Sequence, residues 1–167
     1  MPSITVIIGV YNGENCITKA VDSIVQQSFK DWELIICDDA SSDKTYNLLK
    51  NYVTDERIKI IQNEKNLGLG ASLNKCIENA TGKYLVRQDA DDHSYPNRLQ
   101  VLYDAISSSN ETVVLSSCAD LINTNGNIWG ELVIDEPVEK NWVKGSQIIH
   151  ATVIMDKEAI LAVKGYD

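Results

Sequence analysis

Basic residues are scarce in this chain: 15 Lys and Arg stand against 24 Asp and Glu, a formal charge of −9 over 167 residues. A general binder of phosphate backbones needs a basic footprint, so no nucleic acid is expected as partner. A nucleotide whose phosphates are held through a metal is not excluded by that charge. Cysteines are few and scattered: Cys16, Cys37, Cys76 and Cys118 form no C-x-x-C pair. They read as free thiols in a reducing compartment rather than as a disulfide framework or a zinc site. No apolar stretch approaches the ~20 residues that span a bilayer. The N-terminus "MPSITVIIGVYNG" lacks a basic leader region and a small-residue cleavage site, so it does not read as a signal peptide. Internal repeats, low-complexity tracts and linkers are also absent. With 44% hydrophobic and 23% charged residues, the composition is that of an ordinary globular domain, expected to be soluble and cytoplasmic.

What is present is an alternation of short apolar runs and longer amphipathic segments. "ITVIIGV" (4–10) is β-branched and continuous, as a strand buried on both faces should be. In "CITKAVDSIVQQ", Ile17, Ala20, Val21, Ile24 and Val25 share one helical face. "WELIICDD" (32–39), "RIKIIQ" (57–62) and "KYLVRQ" (83–88) read as further strands. Between them, "SSDKTYNLLKNYV" is a helix capped by Ser41, Ser42 or Asp43, and "LGASLNKCIENA" (69–80) is a helix closed by Gly82. Strands alternating with helices of this length predict an α/β fold with a largely parallel sheet. The second half is mixed. "PNRLQVLYDAISSS" is a helix with Pro96 in its first turn, and "TVVLSSCADLI" (112–122) is a strand. "NTNG" (123–126) signals a hairpin, with "NIWGELVI" returning antiparallel. "HATVIM" (150–155) is a strand, and "DKEAILAV" a helix closed by Gly165.

In such sheets, ligands bind beyond the carboxyl ends of the strands, which is where the acids collect. "RQDADD" (87–92) places Asp89, Asp91 and Asp92 just past the fourth strand. Carboxylates ~6 Å apart repel by roughly 2–3 kcal/mol per pair at an effective dielectric of 20. Either the turn is well solvated or a cation sits there; hard ions such as Mg²⁺ or Mn²⁺ take one or two protein carboxylates plus a diphosphate. Asp38 and Asp39 form a second cluster, suited to a loop or to a nucleotide's base and ribose. "EKNLGLG" (64–70) lacks the G-K-[ST] ending of a phosphate loop. Arg87 reads as a surface charge or a phosphate contact, and His150 as a strand histidine among apolar neighbours. Trp32, Trp129 and Trp142 are expected to pack, the latter two being also placed to stack on a sugar.

The order of these segments resembles a family 2 glycosyltransferase with the GT-A fold. The likeness runs through "SITVIIGVYNGENCITKAVDSIVQQSFKDWELIICDDASSDKT", "NEKNLGLGASLNKCIENATGKYLVRQDADD", "PNRL" and "HATVIMDKEAILAVKGYD". It implies a Rossmann-like nucleotide-diphospho-sugar transferase fold, a mostly parallel central sheet flanked by helices. One catalytic domain over 1–167 is implied, with 1–95 the nucleotide-binding half and 96–167 the start of an acceptor-side half. The implied reaction is an inverting transfer from a nucleotide-diphosphate sugar, a UDP-sugar foremost, to a hydroxyl of a saccharide or lipid-linked saccharide in bacterial surface polysaccharide or glycolipid assembly.

By the same resemblance, Val10 and Tyr11 sit beside the base and Asp39 contacts base or ribose. Asn12, Asn66 and Arg87 join the donor contacts. Asp89 and Asp91 hold ribose and metal, Asp92 shares the metal, and the division among the three stays open. The implied cofactor is Mn²⁺ or Mg²⁺. His150 and Thr152 line the acceptor side. The family's base is a carboxylate in a Glu-Asp motif downstream of the Gly165-Tyr166-Asp167 segment, and no residue here matches it. The chain is therefore expected to be truncated, inactive alone, and part of a protein in the cytoplasm or at the inner membrane surface. The alternatives are a non-catalytic nucleotide-sugar-binding module and a sugar-1-phosphate nucleotidyltransferase; "VYNGEN" lacks the basic, glycine-rich loop of the latter.

Overall fold

The computed structural model describes residues 1–108, 114–133 and 148–167. Its centre is a six-stranded sheet of order β3-β2-β1-β4-β8-β5, formed by β1 (Ile4–Val10), β2 (Trp32–Asp38), β3 (Ile58–Gln62), β4 (Tyr84–Arg87), β5 (Val114–Ser116) and β8 (Val153–Asp156). The first four are mutually parallel where they pair, and β8 runs antiparallel to both β4 and β5. Every residue of β1 and β4 is buried, which is why these strands carry continuous β-branched and aliphatic runs rather than alternation.

Helices cover both faces. On one side Ile17, Val21 and Ile24 of α1 (Ile17–Val25), Leu49 of α2 (Thr45–Leu49), and Leu99, Leu102 and Ile106 of α4 (Arg98–Ser107) pack on Ile4, Val6, Ile8, Leu34, Ile36 and Val86. On the other, Leu73, Cys76 and Ile77 of α3 (Leu69–Asn79) meet Ile7, Ile35, Cys37 and Leu85, with Ile160 of α5 (Lys157–Ala162) beside Met155 in the same cluster. β6 (Ala119–Ile122) and β7 (Ile128–Leu132) form a separate antiparallel hairpin through the anticipated turn. Among the described residues no helix is long and apolar enough to cross a membrane.

Several boundaries differ from the sequence reading. Residues 114–122 are two strands, interrupted at Ser117-Cys118, not one. Positions 112 and 113 of that expected strand lie outside the described residues, as do Ile134 of the return strand and Trp142. Pro96 precedes α4, which begins at Arg98; the Pro96 carbonyl instead accepts from Ser28 N–H. His150–Thr152 is a single 3₁₀ turn ahead of β8, because the Thr152 hydroxyl bonds back to the Ile149 and Ser117 carbonyls. Trp32 is buried under the Arg57 guanidinium, whereas Trp129 is 69% exposed and packs in no core. The thiols are free, as expected, but Cys118 is exposed.

Two glycines act differently from each other. Gly165 takes φ +80 and donates to the Ile160 carbonyl, ending α5 as anticipated. Gly82 does not close α3. Its N–H donates to Thr5 Oγ1 and to Glu33 Oε1, and a Cβ there would lie 2.6 Å from Thr5 N and 2.7 Å from the Ile4 carbonyl carbon. It is the contact that lets β4 start flush against β1. Gly82→Ala is expected to cost about 1–3 kcal/mol in urea unfolding; a change within ~0.5 kcal/mol would show that the approach is not required.

Candidate functional site

The carboxyl ends of β1, β2 and β3 finish level, Val10 opposite Asp38 and Asp38 opposite Gln62. β4 stops short, its last pair being Arg87 opposite Ile7, so Ile8, Gly9 and Val10 project past it. β2 and β3 lie on one side of β1 and β4 on the other. The notch beside β1 is therefore a topological switch point, where open α/β sheets bind ligands.

Two loops zip together along one side of the notch. Asn12, at φ 53, donates its N–H to Ser41 Oγ (2.9 Å) and accepts at Oδ1 from Ser42 N–H (2.9 Å). Gly13 N–H donates to Thr45 Oγ1 (2.7 Å) and Glu14 N–H to Asp43 Oδ2 (3.0 Å). Asp43 also accepts from Thr45 N–H at the start of α2, so among the three proposed caps it is the one bonded to the helix. Tyr11 stays half-exposed over a cavity of about 140 Å³ walled by Gly9, Val10, Asp39, Leu69 and Ser72.

The adjacent aspartates have separate partners. Asp38 is fully buried; its Oδ2 accepts from Gln62 Nε2 (3.1 Å) and Ser41 N–H (3.3 Å), while Oδ1 has no partner among the described residues. Asp39, 3% exposed, accepts at Oδ1 from Asn63 Nδ2 (2.6 Å) and Leu67 N–H (2.8 Å), and at Oδ2 from Gly68 N–H (2.8 Å). Burial pushes the Asp39 pKa up, but hydrogen bonds from Asn63, Leu67, Gly68 and Ser72 outweigh it and hold the carboxyl below its ordinary value. Asp39 thereby fixes the loop leading into α3, on which Asn66 stands exposed.

The acid loop after β4 is built on one buried and one partly buried arginine, Arg87 and Arg98. Arg87 is 4% exposed and not a surface charge: its two terminal nitrogens fork onto both oxygens of Asp89, Nη1 at 2.7 Å from Oδ2. Asp91 and Asp92 are exposed. Partial desolvation by the surrounding protein, then the charges of Asp89 and Asp91, push the pKa of the solvent-accessible Asp92 up against the pull of Arg87 and Arg98. Beneath the loop, Gln88 is 1% exposed and donates from Nε2 to the Asp92 carbonyl (2.9 Å). Its Oε1 accepts from Ser94 Oγ (2.6 Å) and Arg98 Nη1 (2.5 Å). Gln27, two residues past the end of α1, ties the far end of the loop, donating to the Tyr95 carbonyl (2.8 Å) and accepting from Leu99 N–H (2.9 Å).

On the other flank, His150 Nε2 lies 3.0 Å from Tyr166 OH, with the rings edge to face. His150 is exposed on its turn rather than set among apolar neighbours. Partial desolvation by the surrounding protein lowers the His150 pKa and raises that of Tyr166; Arg87 lowers both and Asp89 raises both, so this pair lies within electrostatic reach of the acid loop. Asn74 clamps Tyr166 by its backbone, accepting from the N–H and donating to the carbonyl, each at 2.8 Å. Thr152 is buried, and its hydroxyl is engaged by Ser116 and Ser117. A cleft of about 660 Å³ runs from Asp89, Asp92 and Thr152 to the β6–β7 hairpin, and Tyr95 OH bonds Asp120 along it.

The structure thus gathers Val10, Tyr11, Asn12 and Asp39 around one end of the notch and Arg87, Asp89, Asp91 and Asp92 around the other. Sequence reasoning missed Asn63, Gln88, Ser94, Arg98 and Asn74. Gln88 left a trace, as an uncharged polar residue directly following a buried strand, and Arg98 stood in the "PNRL" segment with no role assigned to it. Among the described residues, no three His, Cys, Asp or Glu side chains form a group able to hold a metal ion by themselves. The donor set nevertheless fits a hard divalent cation of the kind that one or two carboxylates and a diphosphate complete. Asp91 and Asp92 are exposed acids in a mutually repelling trio, and a cation would relieve that repulsion.

A family model described as glycosyl transferase family 2 matches residues 5–154. The putative glycosyltransferase EpsE of Bacillus subtilis is 38% identical over 167 residues, covering 99% of this chain and 60% of that protein. Among solved structures, S. aureus TarS 1-349 in complex with UDP-GlcNAc is 24% identical with a TM-score of 0.75, covering 98% of this chain and 48% of that one. The mannosyltransferase PcManGT of Pyrobaculum calidifontis, in complex with GDP-Man and Mn²⁺, has a TM-score of 0.75 at 16% identity, covering 99% and 48%. The chain therefore spans about 60% of the length of EpsE.

Asp39 yields a pH-dependent expectation. A depressed folded pKa contributes stability in full above the unfolded value of about 3.9 and loses it as pH falls through the lower folded value. Asp39→Asn sets an amide N–H against the N–H of Gly68 or of Leu67 and is expected to cost about 1–3 kcal/mol at pH 7. The gap to wild type narrows below about pH 4. Urea unfolding from pH 7 downward measures both; a gap that stays constant with pH would mean the carboxylate charge is not what holds the loop.

Proposed function

Since the chain belongs to glycosyl transferase family 2, we propose that it binds a nucleotide-diphosphate sugar, a UDP-sugar foremost, across the β1–β4 notch, and that the protein moves the sugar with inversion to an acceptor hydroxyl. The observation that carries the reading is the acid loop at the switch point: Asp89 is committed to Arg87, while Asp91 and Asp92 remain exposed beside it. The fold is shared with proteins that hold UDP-GlcNAc, or GDP-Man with Mn²⁺, which supports it further.

In this reading Val10 and Tyr11 flank the base over the cavity at the end of β1. Asp39 holds the loop that walls this pocket and offers its remaining lone pairs to base or ribose. Asn12 shapes the rim through its bonds to Ser41 and Ser42, and Asn66 reaches the donor from the opposite loop. Asp89, oriented by Arg87, faces the ribose side, and Asp91 is the main metal ligand with Asp92 sharing the ion. A bound Mn²⁺ or Mg²⁺ supplies charge neutralisation for the leaving diphosphate. His150, with Thr152 behind it, faces the acceptor, a saccharide or lipid-linked saccharide of the kind used in surface polysaccharide assembly at the cytoplasmic side of a membrane. The domain divides accordingly, 1–95 serving the nucleotide and 96–167 beginning the acceptor side. No residue of the chain is assigned as the base for the acceptor hydroxyl, so the 167 residues alone are expected to transfer no sugar.

Calorimetric titration with UDP, GDP, TDP and CDP in the presence of Mn²⁺ tests the proposal. Saturable binding of one of them, abolished by chelator and weakened at least about tenfold (~1.4 kcal/mol) in Asp91→Asn, is expected. No heat from any of the four would overturn it.

A further inference from the structure

Among the described residues, Arg98 is the one whose side-chain hydrogen bonds cross from the acid loop to the His150–Thr152 turn. Its Nη1 donates to Gln88 Oε1 (2.5 Å) and Ser94 Oγ (2.8 Å). Its Nη2 donates to the Arg87 carbonyl (2.8 Å) and, across the gap, to the Ala151 carbonyl (3.1 Å). Gln88 in turn holds the Asp92 carbonyl. One guanidinium therefore grips the acid loop at its start, its buried anchor and its far side, and the fourth bond reaches the residue between His150 and Thr152.

We propose that Arg98 is a positioning residue that sets the spacing between the metal-binding acid loop and the acceptor-side turn. It acts through Gln88, Ser94 and two backbone carbonyls. The proposal rests on the functional reading above for the meaning of the two sides, but the physical tie does not. A planar fork with fixed donor directions can satisfy four acceptors at once; an ammonium with three donors on a flexible stem keeps the charge and loses that geometry. Arg98→Lys therefore separates placement from charge.

Two measurements on the protein decide it. In calorimetry with Mn²⁺ and the nucleoside diphosphate bound by wild type, Arg98→Lys is expected to raise Kd about tenfold with unchanged stoichiometry. Ser94→Ala, which removes one acceptor, is expected to raise it about two- to threefold. A merely structural role would lower the stoichiometry as protein unfolds and leave Kd unchanged, and that result overturns the proposal. In hydrogen exchange, Arg98→Lys is expected to deprotect amides of 88–94 and 149–152 together, with the α1 and α3 amides unchanged. Deprotection confined to 88–94 overturns it. Should wild type bind none of the nucleotides, the functional reading fails and the exchange experiment still decides whether Arg98 couples the two segments.

Discussion

Three carboxylates within four residues repel one another unless solvent or a counter-charge screens them, and the placement of the counter-charge organises the rest of the site. Arg87, almost wholly buried, is spent on one of the three, Asp89. Arg98 sits beneath the loop, where burial draws its pKa down to about 10, Asp92 raises it and Arg87 lowers it. Two cations facing one another under three acids leave the acids only partly balanced. The Asp92 pKa is raised first by desolvation and then by the charges of Asp89 and Asp91, against the pull of the two arginines. What the protein leaves unbalanced at the mouth of the notch is a demand for positive charge from outside.

The sheet turns this local imbalance into a site. Because β4 stops opposite Ile7 while β1 continues to Val10, the acids stand beside an open strand end rather than against a neighbour. The same edge carries Asp39, whose three hydrogen-bonded partners bring the loop before α3 over the end of β1. Both walls of the notch are therefore held by carboxylates: the buried Asp39 organising backbone N–H groups on one wall, the partly exposed Asp89 and its buried arginine organising the other. Rigid walls of this kind give a ligand pre-arranged partners, which reduces the ordering cost of binding.

Much of this was legible in the residues. The β-branched runs at 4–10 and 32–38 and the helical face of Ile17, Ala20, Val21 and Ile24 are local patterns, and they located the sheet and its ligand edge. The polar supports were harder to read, because Asn63, Asn74 and Arg98 each bond a partner distant in sequence. Asn63 finds Asp39 across 24 residues and Arg98 finds Ala151 across 53, and neither spacing has a local signature. Local rules failed where tertiary contacts overrode them. Gly82, placed as a helix stop, is instead a point of close strand approach. Pro96, placed inside a helix, contributes its carbonyl to Ser28 ahead of it. His150, placed in a strand, is turned outward by the hydroxyl bonds of Thr152. Arg87, read as a surface charge or a phosphate contact, is buried with both oxygens of Asp89 meeting it.

The central claim is a division of labour among the acids: Asp89 belongs to Arg87, and Asp91 with Asp92 answers to the cation. A crystal structure of the protein grown with Mn²⁺ and a nucleoside diphosphate, with the ion located by its anomalous signal, tests that most directly. The account predicts the ion on Asp91, with Asp92 beside it, the diphosphate completing its coordination, and the Arg87–Asp89 fork intact. An ion coordinated by Asp89 with Arg87 displaced, or a nucleotide bound away from the β1–β4 notch, would contradict it.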